Sequence, residues 1–339
     1  MDLLGNVLEG LRLESTVFCH ALFSAPWGFS KAALAGAPFH AVMAGQAYVE
    51  LPDTALLELG PGDFLVLPHG DAHRLLCAPD ASATSFTNLL IERGAELWCP
   101  GQRCAGPVIL EHGGGGEPTT LVSGVFAFGD RRRNPLVAAL PPVILVRGRE
   151  GGAAPWLETT LRYLADEAAS QLPGAGAVTA RLADILFIQA VRAHLALHPT
   201  QTRGWLRGMT DAAIGQTLAS IHAAPARAWS VEIFAREAGM SRSGFAARFQ
   251  ALVGEGPIEY LTRWRMHEAA GKLLATDLSI VEIAEGCGYR SEVAFGKAFK
   301  RWAGTPPAAY RRAQPCFVAR ARRVLPPAAI FFDNSGPAF

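Results

Sequence analysis

Two kinds of segment are missing from this chain of 339 residues. No apolar run approaches the roughly 20 residues that a membrane-spanning helix needs, although 50% of the residues are hydrophobic. Residues Met1 to Gly10 also lack the basic region and the apolar segment that are typical of a signal peptide. We therefore expect a soluble cytoplasmic protein that has no membrane partner.

Cysteine is scarce as well. The six cysteines, at positions 19, 77, 99, 104, 287 and 316, form no C-x-x-C pair and no zinc-ligand spacing. We expect most of them to be buried thiols. Cys99 and Cys104 leave two alternatives open, a redox switch or an ordinary loop.

Charge is distributed unevenly along the chain, although the formal net charge is only +1. Residues 215 to 339 hold 16 Lys or Arg against 10 Asp or Glu, whereas residues 1 to 214 hold 15 against 20. A basic part beside an acidic part is typical of a DNA-binding module carried by another domain. The length and the hydrophobic content permit more than one core, so two or three domains are expected.

A pattern in the basic part recurs after fifty residues. The first copy contains Phe245, Phe249, Gly254 and Pro257, and the second contains Phe295, Phe299, Gly304 and Pro307. A single hairpin of amphipathic helices is often only part of a core. Two hairpins with matching turns and exits instead predict a duplicated helix-turn-helix unit.

Each copy also contains the signals that begin and end its helices. Ser230 and Ser279 can accept hydrogen bonds from the free N–H groups of a first helical turn, and Glu282 completes a capping-box pattern with Ser279. Gly239 and Gly288 suit the left-handed position at which a helix ends. The second helix of each unit is expected to turn its two phenylalanines inward and to expose the residues between them.

Residues 235 to 312 resemble the DNA-binding domain of the AraC/XylS family of transcription regulators, including its final P-x-x-Y-R as Pro307-Ala308-Ala309-Tyr310-Arg311. The resemblance implies that a long helix, about Ile258 to Ala275, holds two recognition helices against successive major-groove segments of double-stranded DNA. It assigns base reading to Arg242, Ser243, Ala246 and Ala247 in the first unit and to Arg290, Glu292, Val293, Gly296 and Lys297 in the second.

The predicted first reading helix has few polar groups. Ala246 and Ala247 offer only apolar contact, for instance to a thymine methyl group, whereas Arg and Lys can donate to guanine O6 and N7. We therefore predict that Lys297 and Arg242 contribute more to DNA affinity than Ala246 does.

The N-terminal part is rich in short β-strand patterns, which are clearest at 39–43, 47–51, 64–67 and 121–128. Gly62 to His73 has the spacing G-x5-P-x-G-x2-H, which resembles the second motif of the cupin β-barrels. Turns at Pro61-Gly62-Asp63 and at Pro68 to Gly70 are expected to aim His73 into a barrel. The segment resembles the cupin sensor of one group of AraC-type regulators.

His40 and His73 are the predicted ligand-binding residues of this barrel. The first cupin motif would supply two His and a Glu, but around Phe39 to Gly45 only His40 remains. Many sensors of that group carry Cys-Gly where this chain has Ser123-Gly124, and a hydroxyl is a poor ligand for a soft metal. Two hypotheses stay open, a partial site for a metal ion or two histidines that pair internally. No other cofactor is expected.

Helical patterns follow the barrel. Apolar residues recur at helical spacing from Trp156 to Ala168 and from Val178 to Leu195, on either side of a break at 173–176. These helices can cap the barrel, or they can pair two subunits into a homodimer. His198 to Gly208 is interpreted as a linker, and Ile214 to His222 as the first helix of the next domain.

The predicted fold class is α+β multidomain. Residues 1–150 form a cupin-like β-barrel sensor, 151–208 a helical linker and dimerisation region, 209–314 an all-α domain with two helix-turn-helix units, and 315–339 a tail of unknown role. We expect a sequence-specific transcription regulator that responds to a small molecule or an oxidant and contacts RNA polymerase. The family resemblance favours an activator over a repressor.

Two other functions remain as alternatives. A metal-dependent cupin enzyme fused to a DNA-binding module would normally need two His and one carboxylate, and no Glu follows His40 at the motif spacing. We therefore predict no catalytic residues. An architectural DNA binder would bind DNA identically with every effector tested.

Overall fold

The computed structural model describes residues 4–5, 13–52, 54–92, 107–128, 135–148, 155–170, 172–198 and 202–312. Strands form the N-terminal part of these residues and helices form the rest, which confirms the predicted α+β multidomain class. Within these ranges no helix is both long enough and apolar enough to cross a membrane. The C-terminal tail from 315 to 339 lies outside the described residues.

The strands of the N-terminal part arrange into two sheets. The first sheet has the order β11-β6-β3-β10-β1-β9, and the second has the order β5-β4-β7-β2-β8. The strands are β1 (Leu13–Ser24), β2 (Gly28–Lys31), β3 (Ala37–Ala44), β4 (Ala47–Glu50), β5 (Leu57–Leu59), β6 (Phe64–Val66), β7 (His73–Leu76), β8 (Thr84–Ser85), β9 (Val108–Gly113), β10 (Pro118–Phe128) and β11 (Ile144–Val146), with the short helices α1 (Phe86–Glu92) and α2 (Pro135–Ala139). The four strands predicted most clearly from the sequence correspond to β3, β4, β6 and β10.

Both faces of the first sheet are covered. Successive residues of a strand point to opposite faces, and in β3 Val42 packs between the two sheets whereas Phe39 packs on the outer face. The outer face contacts a hairpin of two helices, α3 (Pro155–Ser170) and α4 (Ala175–Leu197). The ring of Phe187 lies 4.9 Å from that of Phe126. The hairpin therefore covers the barrel, as one of the two hypotheses for it predicts.

The C-terminal part consists of eight helices within the described residues. They are α5 (Gly204–Gly208), α6 (Ala212–Ala223), α7 (Val231–Glu237), α8 (Arg242–Val253), α9 (Pro257–Ala275), α10 (Ile280–Gly286), α11 (Glu292–Ala303) and α12 (Pro307–Arg312). The pairs α7–α8 and α10–α11 are the two predicted helix-turn-helix units. The long helix between them is α9, which begins one residue before the predicted start.

The predicted caps are present in both units. The Ser230 and Ser279 side chains accept hydrogen bonds from the first turns of α7 and α10, and Glu282 completes the capping box. Gly239 and Gly288 have φ of +65° and +80°. At Gly288 a Cβ atom would also lie 2.6 Å from the Ala226 carbonyl oxygen, so glycine is required there for two reasons.

The expected linker from His198 to Gly208 contains a helix, so its interpretation as a simple polar linker is wrong for residues 204–208. Trp205 and Leu206 of α5 are buried, and the Trp205 Nε1–H donates to the Pro135 carbonyl oxygen at 3.0 Å. The physical reason is burial of the indole ring, which stabilises this short helix against the barrel. The glycines that form the first and last residues of the helix, Gly204 and Gly208, concealed it in the sequence.

The buried apolar residues that the structure describes form three separate clusters. One cluster runs from the outer face of the barrel through α3, α4 and α5 into the first helix-turn-helix unit and the first half of α9. A second cluster fills the barrel. A third, smaller cluster holds the second helix-turn-helix unit against the end of α9. The first unit therefore shares its core with the sensor, whereas the second unit has a core of its own.

Candidate functional site

The two predicted barrel histidines meet between the sheets. His40 lies on β3 and His73 at the start of β7, and both are buried. Their Nε2 atoms are 3.0 Å apart. His40 Nδ1 lies 2.7 Å from the Ser123 hydroxyl, and His73 Nδ1 lies 3.0 Å from the Asp71 carbonyl oxygen. The cupin-like motif thus aims His73 inward, as predicted.

The partners of these hydrogen bonds determine which ring nitrogen of each histidine carries a proton. A carbonyl oxygen can only accept, so His73 Nδ1–H donates to Asp71. His73 Nε2 then accepts from His40 Nε2–H, and His40 Nδ1 accepts from the Ser123 hydroxyl. Every ring nitrogen has a partner while both histidines are neutral. Ser123 is therefore a functional part of the site, although the sequence had suggested only that it is a poor metal ligand.

Burial keeps both histidines neutral. Burial, together with the nearby Lys31 ammonium, lowers the pKa of His73 from 6.5 to about 4. Burial lowers the pKa of His40 well below its usual value, with further contributions from Lys31 and His73. A second proton on either ring would place a positive charge beside Lys31 on a side chain that is almost completely buried.

The donor set fits an internal histidine pair better than a metal site. Two nitrogen ligands of a tetrahedral first-row metal ion stand about 3.3 Å apart, so the pair would have to open slightly. More importantly, the part of the chain that the structure describes contains no group of three His, Cys, Asp or Glu side chains placed to hold a metal ion. Ser123 occupies the remaining nitrogen of His40. These residues support the hypothesis of internal pairing.

The buried pair predicts that acid destabilises the protein. His73 has a folded-state pKa of about 4 and an unfolded-state value near 6.5, so the unfolded chain takes up its proton first as the pH falls. Between pH 6.5 and pH 5, we expect the unfolding free energy of His73→Gln to fall by about 1.6 kcal/mol less than that of wild type. Urea unfolding at both pH values measures this difference, and equal losses in the two proteins would contradict it.

Lys31 is a residue of this site that the sequence analysis missed. It ends β2, and its ammonium nitrogen lies 4.0 Å from the ring centre of Phe86 and 5.1 Å from that of Phe18. The signal in the sequence was a lysine at the end of an otherwise apolar aromatic segment, Trp27 to Lys31. Lys31 lines an open cleft of about 570 Å³, together with Ser30, Glu50, Leu51, Pro52, Thr54, Ala72, His73 and Arg74.

The described cysteines are free thiols. Cys19 and Cys287 are buried, and Cys77 is half-buried, which agrees with the expectation of buried thiols. Burial raises the pKa of Cys19 to about 12, so this thiol is a weak nucleophile. Cys99 and Cys104, for which a redox switch or an ordinary loop was expected, lie outside the described residues, as does Cys316.

The predicted DNA-reading residues lie on the outward faces of α8 and α11 or immediately before α11. Phe245 and Phe249 of α8, and Phe295 and Phe299 of α11, are fully buried, which fixes the opposite faces toward solvent. The exposed reading residues are Arg242, Ser243, Ala247, Arg290, Glu292, Val293 and Lys297, whereas Ala246 and Gly296 are half-buried. The structure therefore groups each predicted set on one surface.

Ion pairs hold two arginines of the first unit. The Arg242 Nε–H donates to the Glu232 carboxylate at 2.9 Å, and both side chains are largely exposed. Arg248 donates to Asp211, the residue that caps α6, with Nε 2.9 Å from the carboxylate. The ion pair between Arg248 and Asp211 fixes α8 against α6. The ion pair between Arg242 and Glu232 is a surface contact of low strength, so a DNA phosphate or base can replace Glu232 as the partner of Arg242.

Comparison with known proteins places both parts of the chain. Residues 2–196 match the cupin family, and residues 234–313 match the family described as helix-turn-helix domain. A putative AraC-like transcription regulator from Streptomyces lividans is 32% identical over 92% of this chain and 98% of its own length. The HTH-type transcriptional regulator AlkR from Acinetobacter baylyi is 31% identical over 92% and 99%.

The solved structures that are similar to this chain include the DNA-binding domain of AdpA in complex with a target DNA. That domain is 36% identical and covers 32% of this chain and 94% of its own, with a TM-score of 0.28. The two full-length relatives, together with the two family matches, fix the classification. This chain belongs to the AraC family of transcription regulators and carries a cupin domain followed by a helix-turn-helix domain.

Proposed function

We propose that this protein binds double-stranded DNA through both helix-turn-helix units and regulates transcription in response to an effector held in the cupin barrel. The observation that carries the proposal is the pair of capped units, each of which exposes one face of its second helix. The 19-residue helix α9 joins the units. At 1.5 Å per residue it is roughly 28 Å long, which approaches the spacing of successive major-groove segments.

The second unit is expected to provide more of the direct readout. Lys297 and Arg290 can donate to base edges or phosphates, and Val293 is 67% exposed and can contact a thymine methyl group. In the first unit, Arg242 is the main polar reading residue, because Ala246 and Ala247 offer only methyl groups. Sequence specificity would then come mainly from α11, with α8 contributing affinity.

A continuous packed route supports communication between the barrel and the first unit. Trp205 contacts the barrel through Pro135, and its ring lies 5.9 Å from that of His222 on α6. His222 in turn stacks on Trp264 of α9 at 3.7 Å and hydrogen-bonds with the Tyr260 hydroxyl at 2.6 Å. An effector that favours one packing of the barrel would thereby favour one placement of α9.

The protein partners belong to the same proposal. On the α3–α4 hairpin, Tyr163, Ile185 and Leu197 are 52%, 48% and 68% exposed, and large apolar side chains in that number on one hairpin suit pairing with a second subunit. A homodimer would hold two half-sites on DNA. We further propose contact with RNA polymerase and action as an activator, both of which rest on membership of the family.

Lys297→Ala tests the DNA-reading assignment. Duplexes that bind the full chain are first selected from a random pool, and affinity is then measured at several salt concentrations. We expect about a tenfold loss of affinity, since a base contact is worth about 1–3 kcal/mol. If Lys297 contacts a phosphate as well, the slope of log affinity against log salt falls by about one.

Two variants control for charge and for position. Arg181→Ala removes one positive charge from an exposed site on α4, outside the DNA-binding part, and should leave affinity and slope unchanged. Ala246→Ser adds only a hydroxyl group to the first reading helix and should have a smaller effect than Lys297→Ala. An unchanged affinity and slope in Lys297→Ala would show that α11 is placed wrongly on DNA.

A further inference from the structure

The open cleft at the mouth of the barrel has an unusual balance of charge. Among its charged lining residues, Arg74 and Glu50 form an ion pair with N and O atoms 2.5 Å apart. His73 is neutral at physiological pH because burial lowers its pKa. Among the described lining residues, Lys31 is the remaining charged group. It is therefore the one cation of this described lining that is not paired with a carboxylate.

Lys31 has no anionic partner among the described residues. Its ammonium group contacts the faces of Phe86 and Phe18, and such contacts stabilise a cation without neutralising it. Burial lowers the pKa of Lys31 from 10.5 to about 8. An ammonium group that is partly removed from water and lacks a counter-ion gains more from an anion than a solvated surface lysine does.

The other lining residues limit what that anion can be. The Ser30 and Thr54 hydroxyls donate to the carbonyl oxygens of Thr84 and Pro52. Leu51, Pro52 and Ala72 provide only short apolar side chains. The barrel beyond His73 is filled by aromatic rings, including Phe23, Trp27 and Phe29. A long acyl chain would therefore find no empty apolar channel among the described residues of the barrel, and the cleft suits a compact anion.

We propose that the effector site is this cleft and that it binds a small monocarboxylate, with Lys31 as its counter-ion. This inference rests on the proposed role of the barrel as a sensor and names the chemical class that the sensor takes. The carboxylate replaces solvent around the ammonium group of Lys31. His73, on the inner wall, connects the cleft to His40 and Ser123.

The lysine content of the chain permits a direct test. Its four lysines are Lys31, Lys272, Lys297 and Lys300, so mass spectrometry can follow the acetylation rate of each one in the full-length protein. Benzoate and benzamide serve as matched charged and neutral probes. We expect benzoate to slow the acetylation of Lys31 about tenfold, because an ion pair that raises its pKa by about one unit leaves about one tenth of the free amine.

The controls separate the possible causes. Benzamide should leave the Lys31 rate unchanged, and benzoate should leave the rates of exposed Lys297 and Lys300 unchanged. Lys31→Met keeps an unbranched side chain without charge, and calorimetry should show that it no longer binds benzoate. Its thermal unfolding is measured alongside, and the comparison of benzoate with benzamide on wild type does not depend on the variant.

Three results would overturn the proposal. Equal protection by benzamide would show that the charge is irrelevant, and equal protection by inorganic phosphate would show that the site does not select carboxylates. An unchanged Lys31 rate with benzoate and with acetate would remove the site altogether. DNA binding by the same preparations is measured separately, so a protein that binds benzoate but not DNA would refute the proposed regulator and leave the carboxylate site intact.

Discussion

Phe299→Ala is expected to unfold the second helix-turn-helix unit while the barrel and the first unit stay folded. Phe299 is fully buried in the small cluster that packs α10 and α11 against the end of α9. Its ring contacts Phe295, Trp302 and Tyr310 at centre distances of 5.7, 5.6 and 5.3 Å. Removing a buried phenyl ring costs about 3–5 kcal/mol, which is large for so small a core.

Hydrogen exchange read by mass spectrometry checks this expectation. The amides of α10 and α11 should exchange at nearly unfolded rates, whereas those of β3 and β10 should keep their protection. Specific DNA binding should be lost at the same time, because the second unit carries three of the five polar reading residues, Arg290, Glu292 and Lys297. Phe299→Leu is the matched control, since it keeps most of the apolar volume and should retain both properties.

A loss of hydrogen-exchange protection in every part of the chain would contradict a separate core for the second unit. If the barrel strands lost protection together with α11, the second unit would not be an independent folding element. If α11 kept its protection in Phe299→Ala, the contacts of the ring would contribute less to local stability than its burial indicates. Either result would show that the cluster around Phe299 does not stabilise the second unit independently of the barrel.

Trp205→Ala is expected to separate the barrel from the DNA-binding part. The indole ring is 1% exposed in the cluster that these two parts share, and its N–H reaches the Pro135 carbonyl oxygen. We expect the free energy of unfolding to fall by about 3–5 kcal/mol. Because this ring bridges the barrel and α6, the shared core should also lose its cooperativity.

Urea unfolding with two probes measures both effects. In wild type, far-ultraviolet circular dichroism and hydrogen exchange in β10 and α8 should report one transition for the shared core. In Trp205→Ala the barrel and the first unit should unfold in two separate transitions, and an effector should no longer change DNA affinity. Trp205→Phe keeps an aromatic ring at this position but leaves the Pro135 carbonyl oxygen without its hydrogen-bond donor. We therefore expect a smaller loss of unfolding free energy, about 1–3 kcal/mol.

The bridging role of Trp205 would be refuted by a single unfolding transition with an unchanged midpoint in Trp205→Ala. The barrel and the first unit would then communicate by another contact. The surface between α2 and α9, where Pro135 lies close to Tyr260, Arg263 and Trp264, would then be the next place to introduce substitutions.

The helix-turn-helix units were predictable because their signals are local. Ser279 with Glu282, Gly288, and the spacing of Phe295 and Phe299 specify a start, an end and a buried face within a few residues of chain. The same holds for the turn into His73, in which Gly70 has φ of +64°. Local backbone preferences and helical periodicity therefore determined the elements and the faces they expose.

Contacts between distant residues were not predictable in this way. His40 and His73 are 33 positions apart, and His40 and Ser123 are 83 apart. The sequence identified the two histidines but left open whether they bind metal or each other. Lys31 was missed because its significance depends on Phe18, Phe86 and the charges across the cleft, which three different parts of the chain supply.

The sequence by itself thus determined the class of protein, the two DNA-binding units and the residues that face outward from them. Only the tertiary structure decided how these parts are joined. The packing of Trp205 on Pro135 turned an expected linker into a shared core, and the sheet register placed Ser123 against His40. The physical reason is that caps and periodic patterns act within a few residues, whereas burial, hydrogen-bond partners and the pKa of a buried group depend on which distant segments meet.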